Sequence, residues 1–244
     1  MPVIATAAWS IPKTVAARFP QEGSGLARYA AVFPGVEVNS TFYRRHRPDT
    51  FARWAGSVPD DFRFALKMPR EITHAKRLAG ISGLFAEFLG DIAPLGEKRG
   101  PLLCQLPPSL AFDARVAGEA FAAMRDTHAG PIVIEPRHAS WTGETARELL
   151  RRFRIDRVLA DPPLIWRGDD FPTASYVRLH GKPKVYYSSY DGKEIDAFLE
   201  KLAPDGWCVF DNTASGAAIE NALTALDRLR PEPGSGAGMA DRRS

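Results

Sequence analysis

An α/β fold closed as a single (β/α)8 barrel of the TIM type is what this chain predicts, on three observations. Eight short apolar runs, many of them β-branched, are each followed by a helical pattern or a connection long enough for one. Strict strand–helix alternation implies a parallel sheet with right-handed crossovers. Polar residues also gather where the apolar runs stop, and in a parallel barrel all those ends open on one face. An open doubly wound sheet is the structural alternative, but the Gly-rich phosphate turn expected after one of its early strands is absent.

The first predicted strand covers residues 3–9 and is closed by Ser10 and Pro12. A short helix near 14–19, a turn rich in Gly and Ser and a helix near 26–33 lead to strand two, 36–39. Pro48 opens the next helix, since proline suits a first helical turn. Strand three is 62–67, and Leu84, Phe85, Phe88 and Leu89 then recur at helical spacing. Strand four, 102–105, is cut off by Pro107 and Pro108, and a helix is expected over 113–125. Strand five, Ile132 to Glu135, ends at Pro136, after which Thr142 is expected to cap a helix. Strands six to eight are placed at 157–161, 176–180 and 207–212, with helices over 195–202 and 217–229. The barrel domain is thus expected to occupy 1–230. Residues 231–244, rich in Pro, Gly and Ser and holding a terminal Arg-Arg, are expected to form a disordered tail.

The bulk numbers fit an ordinary globular protein: 244 residues, 45% hydrophobic and 25% charged. Lys+Arg 32 against Asp+Glu 29 leaves +3, too small a surplus to argue for nucleic acid by itself. Cys104 and Cys208 both sit in apolar runs, as buried thiols do, rather than in a disulfide framework or a cysteine metal site. No stretch approaches the ~18 apolar residues of a membrane span, and no basic segment precedes an apolar one at the N-terminus. The expectation is a cytoplasmic protein with no membrane partner.

Period-two alternation points to the site. Val36 and Val38 share one face, leaving Glu37 and Asn39 on the other; Phe64 and Leu66 oppose Lys67; Val177 and Leu179 oppose Arg178 and His180. The apolar faces must meet the helices, so the polar set points into the barrel. Glu135, Lys67, His180 and Asp161 lie nearest the mouth and are the expected catalytic groups. Trp9, Glu37, Asn39, Tyr43, Arg70, His74, Gln105, Arg137, His138, Trp141, Arg178 and Asn212 are the expected substrate contacts. Structural readings stand beside these. Glu37 and Arg178 equally suit a buried ion-pair network, His74 and His138 local capping, and Trp141 and Tyr43 packing at the barrel rim. The arginines at 147, 151, 152, 154 and 157 read as a solvated helix face.

Familiar motifs narrow the chemistry. His-Glu-x-x-His and Gly-x-Ser-x-Gly are both missing. A divalent metal is therefore only weakly signalled, with Glu37, Glu135, Asp161, His180 and Asp211 as its candidate ligands, and the cofactor is otherwise left open. Lys67 would suit a Schiff base if its pKa were lowered, although a neighbouring Glu would raise it. Glu37 and Glu135 supply the two carboxylates a glycosidase needs, but the surrounding Arg and Lys suit an anionic ligand better.

Six ordered motifs carry a family resemblance. They are the stretches 36–43 (VEVNSTFY), 67–74 (KMPREITH), 105–109 (QLPPS), 135–141 (EPRHASW), 176–181 (YVRLHG) and 210–213 (FDNT). Over about residues 3–229 the chain resembles the YecE-like family, known as domain of unknown function 72. The resemblance implies a TIM-type barrel and points at the same residues, without naming a reaction. One departure stands out: relatives commonly carry a Gly-Thr-x-Gly-Trp-Ser type end to strand one, whereas Ala5 and Ala8 stand here before Trp9 and Ser10. Alanine would restrict a turn that needs positive φ.

The leading expectation is an enzyme acting on a small phosphate- or carboxylate-bearing substrate, with Lys67, Arg137 and Arg178 holding the anion and Glu135 as general base or acid, partnered by His180 or Asp161. A metal-assisted phosphodiester or sugar-phosphate enzyme is the second reading. A non-catalytic nucleic-acid or metabolite-binding protein is the third.

Overall fold

A computed structural model describes residues 1–230; the expected tail, 231–244, lies outside the described residues. In chain order the elements are β1 (Val3–Thr6), α1 (Gly25–Ala30), β2 (Gly35–Val38), α2 (Ser40–Tyr43), α3 (Pro48–Gly56), β3 (Arg63–Lys67) and α4 (Ser82–Ile92). They continue as β4 (Arg99–Gln105), α5 (Ala114–Thr127), β5 (Ile132–Glu135), α6 (Glu144–Arg152), β6 (Ile155–Arg157), β7 (Leu159–Asp161), β8 (Ala174–Leu179), α7 (Gly192–Lys201), β9 (Leu202–Phe210) and α8 (Ala217–Leu229). Every ladder is parallel, in the orders β2-β3-β4-β5-β6 and β1-β9-β8-β7.

The two sheets are one barrel. The predicted sixth strand is broken at Val158, whose N–H donates to the Ile134 carbonyl. Its first half pairs with β5 and its second with β8, so a single bent strand hands the ring from one sheet to the other. β1 lies beside β2 and completes the circle. Eight strand positions result, in a TIM-type barrel.

Side-chain caps open three of the eight described helices. The Ser24 and Asp113 side chains accept from the N–H groups of Ala27 and Val116, and Asp191 with Glu194 forms a reciprocal capping box on α7. The expected Thr142 cap is corrected: its hydroxyl closes a 3-10 turn (Ala139–Thr142) on the Ala139 carbonyl, and Gly143 caps α6 instead. Between β7 and β8 the chain forms a 3-10 turn, Gly168–Asp170, rather than an α-helix, and Trp166 and Phe171 bury into the core there.

Alternation sorts the strands into two cores. Val36, Leu66, Cys104, Ile134, Leu179 and Phe210 face the helices. Ala5, Ala65, Leu103, Val133, Tyr176, Trp207 and Val209 fill the barrel interior. Trp207 is the floor, stacked on Tyr176 with ring centroids 6.1 Å apart. Gly35 and Gly100 admit it: a Cβ on either would lie 2.9 or 2.8 Å from the indole. Small Ala5 and Ala65 leave space that these rings fill. Two residues further along the same inward faces, the chain leaves the apolar layer and reaches Lys67, Gln105, Glu135, Arg178 and Asp211.

Candidate functional site

Arg178 stands at the centre of the barrel mouth, fully buried. Its Nε donates to Glu37 Oε2 at 3.0 Å and its Nη2 to Glu37 Oε1 at 2.8 Å, a two-pronged pair. Nη2 also reaches Asp211 Oδ2 at 2.9 Å, and Nη1 reaches Glu135 Oε2 at 2.6 Å. Tyr176 donates its hydroxyl to Glu37 Oε2 at 2.8 Å from below, and Arg137 holds the other oxygen of Glu135 at 2.8 Å. A guanidinium offers five donors in a fixed plane, which lets one residue collect three carboxylates.

The electrostatics follow from that geometry. Burial alone would favour protonated Glu135, but Arg178, His180 and Arg137 outweigh it and hold its carboxyl well below the usual range. Asp211 is lowered in the same way by Arg178 and His180 against its burial. His180 sits between the two carboxylates: Nδ1 is 2.9 Å from Asp211 Oδ2, while Nε2 faces Glu135 Oε2 at 3.5 Å and makes no hydrogen bond. Burial disfavours its charged form, yet Asp211 and Glu135 prevail and raise its pKa above 6.5.

Lys67 is unlike the rest. It is buried to 8% exposure at the end of β3, with Nζ 4.2 Å from the centroid of the Phe42 ring. Its ammonium has no carboxylate partner or hydrogen-bond acceptor among the described residues. Nor is it one of the sealed polar atoms, so it meets solvent at the mouth. Desolvation, then nearby Arg178, pull its pKa down from 10.5 to about 8, against Glu37, Glu135 and Asp211. Glu37 and Glu135 do raise it, as expected of neighbouring glutamates, but burial and Arg178 outweigh them and the net shift is downward.

Lys67, Arg70 and Arg137 lie close enough to His74 that their charges, after burial, depress its pKa. Arg70 is exposed and, like Lys67, pairs with no carboxylate among the described residues. Gln105 lies buried at the mouth, bonding only the Leu106 carbonyl. Trp9 packs edge-on against Trp54 at 5.1 Å and joins Asn39 in a cleft of about 350 Å³ that reaches Glu37. Asn39 Oδ1 is enclosed there without a partner. The neighbouring Ala8 takes φ 153°, so alanine does occupy the glycine-favoured backbone, secured by a hydrogen bond from the Thr6 hydroxyl to its carbonyl.

Other predicted residues are placed elsewhere. Asp161 shares the outward face of Leu159 and accepts from the Tyr190 hydroxyl at 2.9 Å, with Lys182 at 3.5 Å. Trp141 is buried, donates to the Leu110 carbonyl at 3.0 Å and packs on Phe112, so it is core. His138 Nδ1 caps the local turn at Ser140. Asn212 bonds the Ser188 carbonyl and Asn221, tying α8 to the loop before α7. Tyr43 is 77% exposed, whereas Phe42 beside it lies under Lys67. Three aromatics escaped the sequence reading: Phe42, Tyr176 and Tyr186, the last edge-on to His180 at 5.8 Å. Tyr176 alone carried a usable signal, standing two residues before Arg178 on the inward face.

The donor set does not fit a metal ion. Glu37, Glu135 and Asp211 converge on a guanidinium, Asp161 points away, and no group of three or more His, Cys, Asp or Glu among the described residues is placed to hold one. Glu135 belongs to the network, so Glu135→Gln is expected to lower stability by about 2–3 kcal/mol, measured by urea unfolding at pH 7. A variant as stable as the wild type would remove Glu135 from that role.

A parallel barrel with one polar, charge-rich mouth defines a TIM-type barrel protein. The chain belongs to the family described as Protein of unknown function DUF72, whose profile matches residues 3–241. It is 37% identical to the UPF0759 protein YecE of Escherichia coli K12 over 99 residues, which is 41% of this chain and 35% of that protein. It is 24% identical to YunF of Bacillus subtilis over 84% of this chain and 86% of YunF. Among solved structures, a DUF72 family protein of Thermotoga maritima, TM1631, superposes with a TM-score of 0.75 at 26% identity, covering 94% of this chain and 99% of its own. No described helix is long and apolar enough to cross a membrane.

Proposed function

We propose that this barrel is an enzyme acting on a small phosphate- or carboxylate-bearing substrate at its C-terminal mouth, with Lys67 as the acid–base group. The observation that carries the reading is the unpartnered, desolvated ammonium of Lys67, backed by Arg70, Arg137 and His74. A group with a pKa of about 8 exchanges protons near neutral pH, as a catalytic acid or base must. Glu135 is too firmly paired for that task and instead fixes Arg178 and Arg137. Trp9 in the adjoining cleft offers an aromatic face for the uncharged part of a substrate.

The test is a thermal-shift comparison of matched pairs, such as glycerol 3-phosphate against glycerol and glycolate against ethylene glycol. The anionic member of at least one pair is expected to raise Tm, since a ligand bound only by the native state adds about 2.7 kcal/mol at a hundred times its Kd. The shift is expected to fall in Arg70→Ala. Equal shifts from charged and uncharged partners, or none from any anion, would overturn the proposal.

A further inference from the structure

Lys67 departs from the other lysines that are at least partly buried, the remaining four being exposed. Lys98 donates to the Ala55 and Val58 carbonyls, Lys201 to the Gly168 carbonyl, and Lys182 lies against Asp161 and Glu194. Those amines are tied down by oxygen acceptors. Lys67 has none, although its backbone is held firmly: the Thr41 hydroxyl donates to the Lys67 carbonyl at 2.7 Å, and the next residue continues the ladder to Leu103. A rigid strand end thus delivers an amine over an aromatic face with nothing bonded to it. Burying a lysine without an acceptor is costly, and such a cost is commonly met where the amine reacts.

We infer that Lys67 is a covalent residue, whose amine condenses with the carbonyl group of an anionic aldehyde or ketone to form an imine at the barrel mouth. The inference rests on the anion-binding reading above and names its substrate class. Arg70 and Arg137 would hold the phosphate or carboxylate, which sets the carbonyl carbon against Nζ. The lone pair of the neutral amine attacks that carbon, a C–N bond forms, and the π pair moves to oxygen, which takes a proton from the newly cationic nitrogen and so restores the nitrogen lone pair. After a second proton reaches the hydroxyl, water leaves and the nitrogen lone pair closes the C=N bond. In sum, an ammonium and a carbonyl give a protonated imine and one water. The nitrogen begins and ends with one positive charge, so its balance with Glu37, Glu135 and Asp211 is the same before and after the step. His74, edge-on to Phe42 at 4.9 Å, is a candidate proton carrier, and its one side-chain hydrogen bond among the described residues is between Nδ1 and Thr73. The low pKa of the amine supports the step, because a fraction of Lys67 large enough to react is neutral near pH 7.5.

The full-length protein is incubated near pH 7.5 with pyridoxal 5′-phosphate or dihydroxyacetone phosphate, reduced with sodium borohydride, digested and mapped by mass. The expected result is a reduced adduct at Lys67 at least about tenfold above any other lysine, following its larger neutral fraction. Inorganic phosphate should suppress it, acetaldehyde should give it far more slowly, Lys67→Arg should lose it, and Lys193→Gln should keep it. Labelling spread evenly over the lysines, or an unlabelled Lys67 in a protein that phosphate still stabilises, would overturn the imine and leave the anion site standing. Loss of both adduct and phosphate stabilisation would overturn both.

Discussion

Arg178→Met is expected to cost at least about 3–5 kcal/mol of stability at pH 7, and to narrow that deficit as the pH falls toward 5. Among the described residues the guanidinium alone meets Glu37, Glu135 and Asp211 together. Methionine keeps much of the aliphatic packing and removes the charge, so three carboxylates would be left in a buried mouth with Arg137 and Lys67 as remaining cations. In the wild type, Glu135 and Asp211 are held below their ordinary values of 4.5 and 3.8. Their stabilising contribution is therefore present above those values and is lost as the pH drops through the lowered folded-state values. Without Arg178, burial dominates and raises Glu135 and Asp211. The folded variant would then bind protons more readily than its unfolded chain, and its stability would increase on acidification. His180 behaves as a raised base in the wild type, its contribution full below 6.5 and lost at higher pH. Urea unfolding of both proteins at pH 7 and pH 5 measures the difference. A variant within about 1 kcal/mol of wild type at pH 7 would mean that the carboxylates do not depend on this arginine.

The barrel was legible because its physics is periodic. Strands buried on both faces yield apolar runs, and the polar exceptions at Glu37, Lys67, Glu135 and Arg178 all fall on the inward parity. Reading that parity requires only a correct strand register, which the flanking prolines and glycines supply. It says little where both faces of a strand are apolar. In 157–161 the apolar residues Val158 and Leu159 fall on opposite faces, and Asp161 shares the outward parity of Leu159, so it faces Tyr190 rather than the mouth. Loop residues carry no parity at all. Nothing in the stretch 41–43 says that Phe42 turns in under Lys67 while Tyr43 turns out, and His138 and Trp141 find local partners that only the folded loop provides. Pairing was also out of reach. The sequence offers three inward carboxylates and three cations, but which cation collects the carboxylates depends on reach and planarity in three dimensions. That one assignment decides the chemistry: because Arg178 is the collector, Lys67 is left over.

A leftover ammonium should cost the fold something. Lys67→Met is therefore expected to raise stability at pH 7 by about 2–3 kcal/mol while abolishing the response to anionic ligands. The sign follows from linkage. Lys67 has a folded-state pKa of about 8 against 10.5 when free, so between those values the unfolded chain binds the proton that the native state has released. Stability from this residue rises with pH across that window, and below about 8 the native state bears the full cost of a charged, desolvated amine. Methionine is of similar length, fits the contact with Phe42 and carries no charge to desolvate. The advantage of the variant should be largest at pH 7 and shrink as the wild type deprotonates toward pH 10. Urea unfolding at pH 7 and 9.5, with the phosphate thermal shift run alongside, measures both halves. A destabilised Lys67→Met would mean that the ammonium is needed to balance Glu37, Glu135 and Asp211, which would make Lys67 a structural counter-ion. A variant that is more stable and no longer senses anions would mean that this fold keeps a destabilising lysine at its mouth for what that lysine does.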